Sequence, residues 1–343
     1  MRLKRTAHAH TLPGTVLLTR SRRPLTPFAL AAAVALLSAC AEDRPRPLAL
    51  ATGTTAGVYY PLGGAMASRW TRDLSGIVVK AEVSAGSVTN LIQVAKGESD
   101  IGFGQADAVA DAFRGTGRFP EPLPLAVLGR IYPNIVHLLS VEGRDVRAVP
   151  DLRGKRVSLG PPGSGNEVTA RNVLRAVGIA EDEFRVRQMN YNQSINGLKD
   201  GTVDAVFLAA GLGVSSVIEL GLTRDLVLVP FTPAEIAAVE AANSAYRGIE
   251  VPPGVYRGVD VPTLAPSLWN ILFVHRDLPA DLAKRLTESV LAGRDEFRSV
   301  TRNADFIEIE SLGDIGSLPL HPGARAFYEE ARARDGGAPG SLP

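Results

Sequence analysis

The sequence predicts an α/β fold built from mostly parallel sheets that are flanked by helices. Short apolar runs typical of buried strands alternate along the chain with stretches of helical periodicity. A faint internal repeat is the second observation. The segments 97–103 and 201–207 each begin with glycine, with aspartate three residues later and phenylalanine six residues later. Two α/β lobes of similar construction would produce this repeat, and so would chance similarity between two strand–helix–strand units.

The individual elements follow from local composition and spacing. Strands are predicted where apolar residues form short continuous runs, over 47–52, 77–83, 100–103, 123–131, 135–141, 156–159, 184–189, 203–209, 226–229 and 268–274. Helices are predicted where apolar residues recur every three or four positions, over 58–74, 87–96, 167–177, 194–199, 214–220, 280–300 and 323–334. Region 243–262 is rich in glycine and proline and lacks periodicity, so we expect a long loop there.

The charges are unevenly distributed, although the formal net charge of the 343 residues is only +1. Six of the 37 Lys and Arg residues, and none of the 36 Asp and Glu residues, lie in 1–39, which leaves the rest of the chain at −5. A mildly acidic body argues against a nucleic-acid partner, because such partners select basic surfaces.

The N-terminal segment has the pattern of an export signal. Arg20, Arg22 and Arg23 precede an apolar run over 28–37 that is too short for an ordinary membrane span. Small residues then lead to Cys40, the only cysteine in the chain, as in a bacterial lipobox. We therefore predict a signal peptide over 1–39, lipidation at Cys40 and a polar tether over 40–46, which gives a periplasmic or cell-surface lipoprotein. A plain signal peptide followed by an incidental cysteine is the alternative.

Three loops share one design that suits an anion. The segments 52–57, 84–87 and 160–166 each follow a predicted strand, contain glycine with small hydroxyl residues, and lead into a helix. A helix start exposes unpaired N–H groups and the positive end of the dipole, and glycine lets a ligand approach the backbone. Such loops bind anions without Lys or Arg. Ordinary helix capping and turn formation would select the same residue types, so each loop by itself fits either interpretation.

A few other side chains are candidates for the same site. Gln105 and Asp107 follow a predicted strand and could face a cleft, although Asp107 could instead cap the next helix. Tyr59 could line a pocket or belong to the core of its helix.

Catalytic, metal and nucleotide sites find no support in the sequence. His137, His275 and His321 are far apart and have no metal-ligand spacing. Neither a Gly-x-Ser-x-Gly elbow nor a phosphate-binding Gly-Lys-Ser/Thr loop occurs. We therefore expect neither an enzyme nor a cofactor.

The order and spacing of several motifs resemble the TAXI family, the solute receptors of a branch of the TRAP transporters. The resemblance runs from about Leu48 to Glu330. Its motifs are Thr52-Gly53, Gly57-Val58-Tyr59-Tyr60-Pro61, Gly86-Ser87-Val88, Asp100-Ile101-Gly102-Phe103, Asp151-Leu152-Arg153-Gly154-Lys155, Gly163-Ser164-Gly165 and Leu320-His321-Pro322-Gly323.

The resemblance implies a type II periplasmic-binding fold, in which two α/β lobes close over a small ligand. It also implies a carboxylate such as glutamate, glutamine or 2-oxoglutarate, and a TRAP-type membrane permease as partner. We place one lobe at 47–140 plus 264–343 and the other at 141–263. A ligand-sensing subunit of a membrane signalling protein is the alternative, and an enzyme on the same fold is a third. The predicted ligand-binding residues are Thr54, Thr55, Tyr59, Ser84, Gly86, Ser87, Asn90, Gln105, Asp107, Ser164, Gly165, Asn166, Ala210 and Gly211.

The lipidation prediction is tested by the substitution Cys40→Ser. Two or more acyl chains hold a protein durably on a membrane, whereas one chain is marginal. We expect Cys40→Ser to move the protein from the membrane fraction to the soluble fraction after export. Mass spectrometry of the native N-terminus is the direct check, and an unmodified, soluble Cys40 in the native host would contradict the prediction.

Overall fold

The computed structural model describes residues 45–313 and 316–334. The predicted signal peptide and Cys40 lie outside this range. Within it, no helix is both long enough and apolar enough to cross a membrane.

Ten strands and eleven α-helices make up the described chain. The strands are β1 (Arg46–Ala51), β2 (Ile77–Glu82), β3 (Ile101–Gln105), β4 (Leu125–Val141), β5 (Arg156–Ser158), β6 (Arg185–Arg187), β7 (Ala205–Ala210), β8 (Leu226–Leu228), β9 (Tyr246–Val251) and β10 (Thr263–His275). The helices are α1 (Tyr59–Asp73), α2 (Ser87–Ala95), α3 (Ala106–Arg114), α4 (Gly165–Ala176), α5 (Tyr191–Asp200), α6 (Ser215–Thr223), α7 (Pro233–Ala242), α8 (Ala280–Ala292), α9 (Arg294–Arg298), α10 (Ile309–Gly313) and α11 (Pro322–Arg334).

All ten strands belong to one sheet of order β2-β1-β3-β10-β4-β7-β5-β6, with β8 paired to β4 and β9 paired to β10. The pairs at the two ends are parallel, namely β1 with β2 and β3, and β5 with β6 and β7. The two longest strands, β4 and β10, pair antiparallel with each other and with their outer neighbours β7 and β3. These two strands therefore join a parallel group at each end of the sheet.

The hydrophobic core is divided in the same way as the sheet. The largest cluster packs helices α1 to α3, α8 and α11 around β1 and β3, and includes Trp70, Phe103 and Phe273. Two further clusters lie on opposite faces of β7, because alternate side chains of a strand point to opposite sides. Phe207 belongs to one of them and Leu208 to the other. Burial on both faces explains why β7 reads as a continuous apolar run.

The α/β class is confirmed, and several element predictions need correction. The strands predicted at 123–131 and 135–141 form the single strand β4, which continues through Pro133 opposite Trp269 at a register irregularity. The helix predicted at 280–300 is interrupted at Gly293, where α8 ends and α9 begins. The loop predicted at 243–262 contains β9, which pairs with β10.

Helix α7 was not predicted, although its start has a recognisable signal. Thr232 accepts a hydrogen bond from the Glu235 backbone, the Glu235 carboxylate accepts one from the Thr232 backbone, and Pro233 is the first helical residue. This reciprocal pair is a capping box, which marks a helix start in sequence.

Candidate functional site

A cavity of about 60 Å³ lies where the carboxyl ends of the two parallel strand groups meet. This is the position at which open α/β sheets bind ligands. Its walls come from both parts of the chain that were predicted to be lobes. The lining residues are Gly53, Thr54, Gly57, Val58, Tyr59, Ala85, Gly86, Ser87, Gln105, Tyr132, Asn134, Pro161, Ser164, Gly165, Asn166, Tyr191, Ala209 and Ala210.

The N-termini of α2 and α4 meet at this cavity. A Cβ atom at Gly86 would lie 3.6 Å from the Ser164 Cα, and one at Gly165 would lie 2.8 Å from both the Ser87 Cβ and the Gln105 Oε1. Glycine at position 165 therefore allows an approach that any larger residue would prevent. The first turns of both helices bring unpaired N–H groups and positive dipole ends to one place.

Among the described residues, none that lines the cavity has a charged side chain. Polar groups come instead from Ser, Thr, Asn, Gln and Tyr. Burial raises the pKa of Tyr59 and Tyr191 well above the ordinary range, so both phenols remain protonated and neutral. The Tyr191 hydroxyl donates to the Ala209 carbonyl oxygen at 2.8 Å, which ties α5 to the end of β7. The site is thus a neutral cradle, in which the two helix starts supply the N–H donors.

A family comparison covers this fold and its site together. Residues 50–331 match the NMT1-like family. The chain belongs to the NMT1-like family.

Several solved structures are similar to this chain at low sequence identity. PhnD1 from Prochlorococcus marinus, in complex with methylphosphonate, is 11% identical with a TM-score of 0.51, over 76% of this chain and 91% of that chain. The periplasmic aliphatic sulphonate binding protein SsuA from Escherichia coli is 16% identical with a TM-score of 0.45, over 83% of each chain. A putative L-cystine ABC transporter from Listeria monocytogenes is 14% identical with a TM-score of 0.47, over 78% of this chain and 97% of that chain. The predicted two-lobed type II periplasmic-binding fold is confirmed.

In this NMT1-like chain, the predicted site residues divide into those that line the cavity and those that support it. Nine of the fourteen predicted residues line the cavity: Thr54, Tyr59, Gly86, Ser87, Gln105, Ser164, Gly165, Asn166 and Ala210. The other five lie outside the lining: Thr55, Ser84, Asn90, Asp107 and Gly211. Thr55 is exposed, and Gly211 packs against the Asn303 side chain.

Asn90 supports the first strand group from behind the cavity. Its Nδ2 donates to the Thr52 carbonyl at 2.6 Å and to the Phe103 carbonyl at 2.8 Å, and its Oδ1 accepts from the Ser84 hydroxyl at 2.5 Å. The side chain therefore ties the ends of β1 and β3 together. Ser84 also accepts from the Gly86 backbone N–H at 3.0 Å, so this pair shapes the loop before α2.

Asn166 has the same role in the second strand group. Its Nδ2 donates to the Leu159 carbonyl at 2.7 Å and the Phe207 carbonyl at 2.9 Å, and its Oδ1 accepts from the Ala209 N–H at 2.5 Å. Each group of parallel strands thus uses one buried asparagine amide to hold two strand ends. The sequence predicted both asparagines as ligand contacts, but their amide groups are already engaged by backbone.

The two serines have different local roles. Ser164 is the N-cap of α4, since its Oγ accepts from the Glu167 N–H at 3.1 Å and donates to the Pro161 carbonyl at 2.7 Å. Capping, the alternative considered for this loop, is therefore present at Ser164. Ser87 is the first residue of α2, and its Oγ accepts from the Gln105 N–H at 3.0 Å.

Asp107 does not face the cavity, nor is it the N-cap of α3, because the cap residue is Gln105. Its carboxylate is fully buried and bonds to groups on α4 and β9. Sequence reasoning missed Tyr132, Asn134 and Tyr191 as lining residues. Tyr132 and Asn134 lie in β4, within the stretch 132–134 that the sequence analysis left between two separate strands. They were missed because the sequence did not predict that β4 is continuous through this stretch.

The anchoring role of the asparagines is tested by Asn90→Ala and Asn166→Ala. Each change removes an amide donor from two buried carbonyl groups, and a buried group that is left unsatisfied costs about 1–3 kcal/mol. We expect both variants to lower the free energy of unfolding, measured in urea titrations, by about 1–3 kcal/mol. Asn192→Ala, at an exposed position on α5, is the matched control and should change it by less than about 0.5 kcal/mol. Wild-type stability of both buried variants would contradict the anchoring role.

Proposed function

We propose that this chain is an exported solute-binding protein that holds a small carboxylate between the N-termini of α2 and α4 and releases it, unchanged, to a membrane permease. One observation carries the proposal: two helix N-termini meet at a cavity whose described lining residues are all uncharged. The two positive dipole ends repel each other when nothing lies between them. An anion placed there removes the repulsion and accepts hydrogen bonds from both helices.

The neutral lining favours a singly charged anion over a dianion. Phosphate and phosphonate groups are usually held by Arg or Lys, and no such residue lines this cavity among the described residues. The ligand of PhnD1, methylphosphonate, is therefore not the charge class that this lining favours. A carboxylate carries one negative charge, which helix ends, amides and hydroxyls can compensate.

The lining also favours an acid without an amino group. An ammonium group needs a carboxylate or several acceptors, and the described lining residues include no Asp or Glu. The free space of about 60 Å³ is small, which favours short acids. A short keto acid with one carboxylate, such as pyruvate, meets all three conditions. Of the ligands that the family resemblance implied, 2-oxoglutarate lacks the amino group of glutamate and glutamine but carries two negative charges.

The partner and location follow from the sequence rather than from the cavity. The export signal and Cys40 support a lipid-anchored protein outside the cytoplasm, and the TAXI-like motifs support a TRAP-type permease as the recipient. Uptake by proteoliposomes tests this step. Transport that requires both this chain and a TRAP permease supports it, and transport with an ATP-driven transporter alone contradicts it.

A thermal-shift screen tests the ligand class. A ligand at a hundred times its Kd stabilises the folded state by about 2.7 kcal/mol, which is visible as a higher melting temperature. We expect pyruvate or 2-oxoglutarate to raise the melting temperature, and glucose or putrescine to leave it unchanged. Glutamate, methylphosphonate and ethanesulfonate complete the screen. A rise with sugars or amines and none with any carboxylate would overturn the proposed ligand class.

The substitution Gly165→Ala tests the position of the site. The added methyl group overlaps the Ser87 hydroxyl and lies 2.8 Å from the Gln105 Oε1, so the two helix ends cannot approach. We expect calorimetric affinity for the bound acid to fall by at least about tenfold, equivalent to 1.4 kcal/mol. The melting temperature without ligand should change little, because the obstruction lies between the two predicted lobes.

Gly64→Ala on α1, where no atom lies within 4 Å of the added methyl, is the control. Wild-type affinity of Gly165→Ala would place the site elsewhere.

A further inference from the structure

Asp107 is a buried carboxylate outside the ligand cavity. Its Oδ2 accepts hydrogen bonds from the Tyr246 hydroxyl at 2.6 Å, the Thr169 hydroxyl at 2.9 Å and the Asn172 amide at 3.3 Å. Its Oδ1 accepts from the Ala108 N–H at 2.7 Å. The partners on α4 and β9 lie in the segment 141–263, whereas Asp107 lies in the segment 47–140. The carboxylate is thus buried by the contact between the two predicted lobes.

Every hydrogen-bond partner of this carboxylate in the described chain is neutral. An adjoining groove that Asn172 and Tyr246 help to line contains charged side chains, which are Asp111, Arg118, Arg171 and Arg175. Arg118 and Arg171 form ion pairs with Glu167, and Arg175 donates to the Asn172 Oδ1 at 3.4 Å. No cation therefore offsets the charge of Asp107 by direct contact, and a buried charge without a counterion is costly.

Thr169 links Asp107 to the ligand cavity. Its hydroxyl lies 2.8 Å from the Gln105 Oε1, which faces the cavity, and 2.9 Å from the Asp107 Oδ2. A hydroxyl has one proton and can donate to only one of these oxygens at a time. When Asp107 is ionised, Thr169 donates to it and the Gln105 oxygen loses its donor. When Asp107 is protonated, it donates to Thr169, and Thr169 is then free to donate to Gln105.

We propose that closure of the two lobes over the solute takes up one proton from water at Asp107, so that a proton is a second ligand of this protein. The inference rests on the proposed function, because it requires that the lobes separate and close around a bound acid. Protonation removes the uncompensated charge that closure buries. It also completes the chain of hydrogen bonds from Tyr246 through Thr169 to the cavity wall.

The direction of the pH dependence follows from burial. Burial raises the pKa of Asp107, and the hydrogen bonds from Tyr246 and Thr169 only partly oppose this shift. In the separated lobes the carboxylate is exposed to water and has an ordinary pKa. The closed state therefore binds more protons than the open state, so closure is favoured at low pH. The advantage is lost as the pH rises from the ordinary aspartate pKa through the raised value.

Isothermal titration calorimetry with pyruvate and with 2-oxoglutarate, each between pH 5 and pH 8, tests the proposal. We expect wild-type affinity to fall as the pH rises across this range, by up to about tenfold for each unit by which closure raises the pKa of Asp107. Titrations in two buffers of different ionisation enthalpy should show net proton uptake on binding. Asp107→Asn carries no charge, and its amide can donate to Thr169. Its affinity should be independent of pH, with no proton uptake.

Asp111→Asn is the matched control, because Asp111 lies one turn further along α3 and pairs with Arg114 and Thr116 instead. It should keep the wild-type pH dependence. Small-angle scattering without ligand gives a second measurement, in which the compact fraction of wild type, but not of Asp107→Asn, should rise as the pH falls.

The possible results separate the two proposals. If the acids bind with pH-independent affinity and no proton uptake, or if Asp107→Asn retains the wild-type pH profile, proton coupling is wrong and the proposed function stands. If neither acid binds at any pH, the proposed ligand class fails. In that case the scattering measurement by itself tests proton coupling. A compact fraction that does not depend on pH would overturn proton coupling.

Discussion

The close contact between Gly165 and Ser87 is the constraint on which the candidate site depends. It brings the starts of α2 and α4 together, so that their dipoles and first-turn N–H groups point into one cavity. Two like dipole ends are unfavourable neighbours, and the glycine leaves space that a side chain would otherwise fill. An anion between the two helix starts would offset this repulsion, and for this reason the proposed ligand is an anion even though no cationic side chain lines the cavity among the described residues.

The rest of the fold holds these two helix ends in place. The long strands β4 and β10 cross the middle of the sheet and connect its two parallel groups. Within each group, one asparagine side chain holds two strand ends, which fixes the loop that leads into the helix. The cavity wall is therefore supported by hydrogen bonds from asparagine side chains to backbone carbonyls. Asn166 is itself part of the lining, whereas Asn90 lies outside it.

The interface between the two predicted lobes is unusual in burying a carboxylate against neutral groups. Other contacts between the two predicted lobes include a neutral one, where the Thr89 N–H donates to the Gly163 carbonyl, and an ion pair between Arg118 and Glu167. Asp107 differs from both, and it shares the Thr169 hydroxyl with the cavity-lining Gln105. Under the proposed closure of the lobes, the energy of closure depends on the ionisation of this carboxylate. The site and the interface are in this way connected by a single hydroxyl group.

The sequence by itself determined the α/β class, most strands and helices, and the three loops at the ends of strands, because these depend on local periodicity and on glycine and hydroxyl residues near helix starts. It could not separate Ser164 as a cap from Ser164 as a contact, since both roles select the same residue. It also could not distinguish Asn90, whose amide bonds to the ends of β1 and β3, from a residue that faces the ligand.

The continuity of β4 through Pro133, the pairing of β9 and the burial of Asp107 were decided only in the tertiary structure. They arise from contacts between segments far apart in the chain, and a local pattern carries no information about which distant partner completes a hydrogen bond or excludes water from a charge.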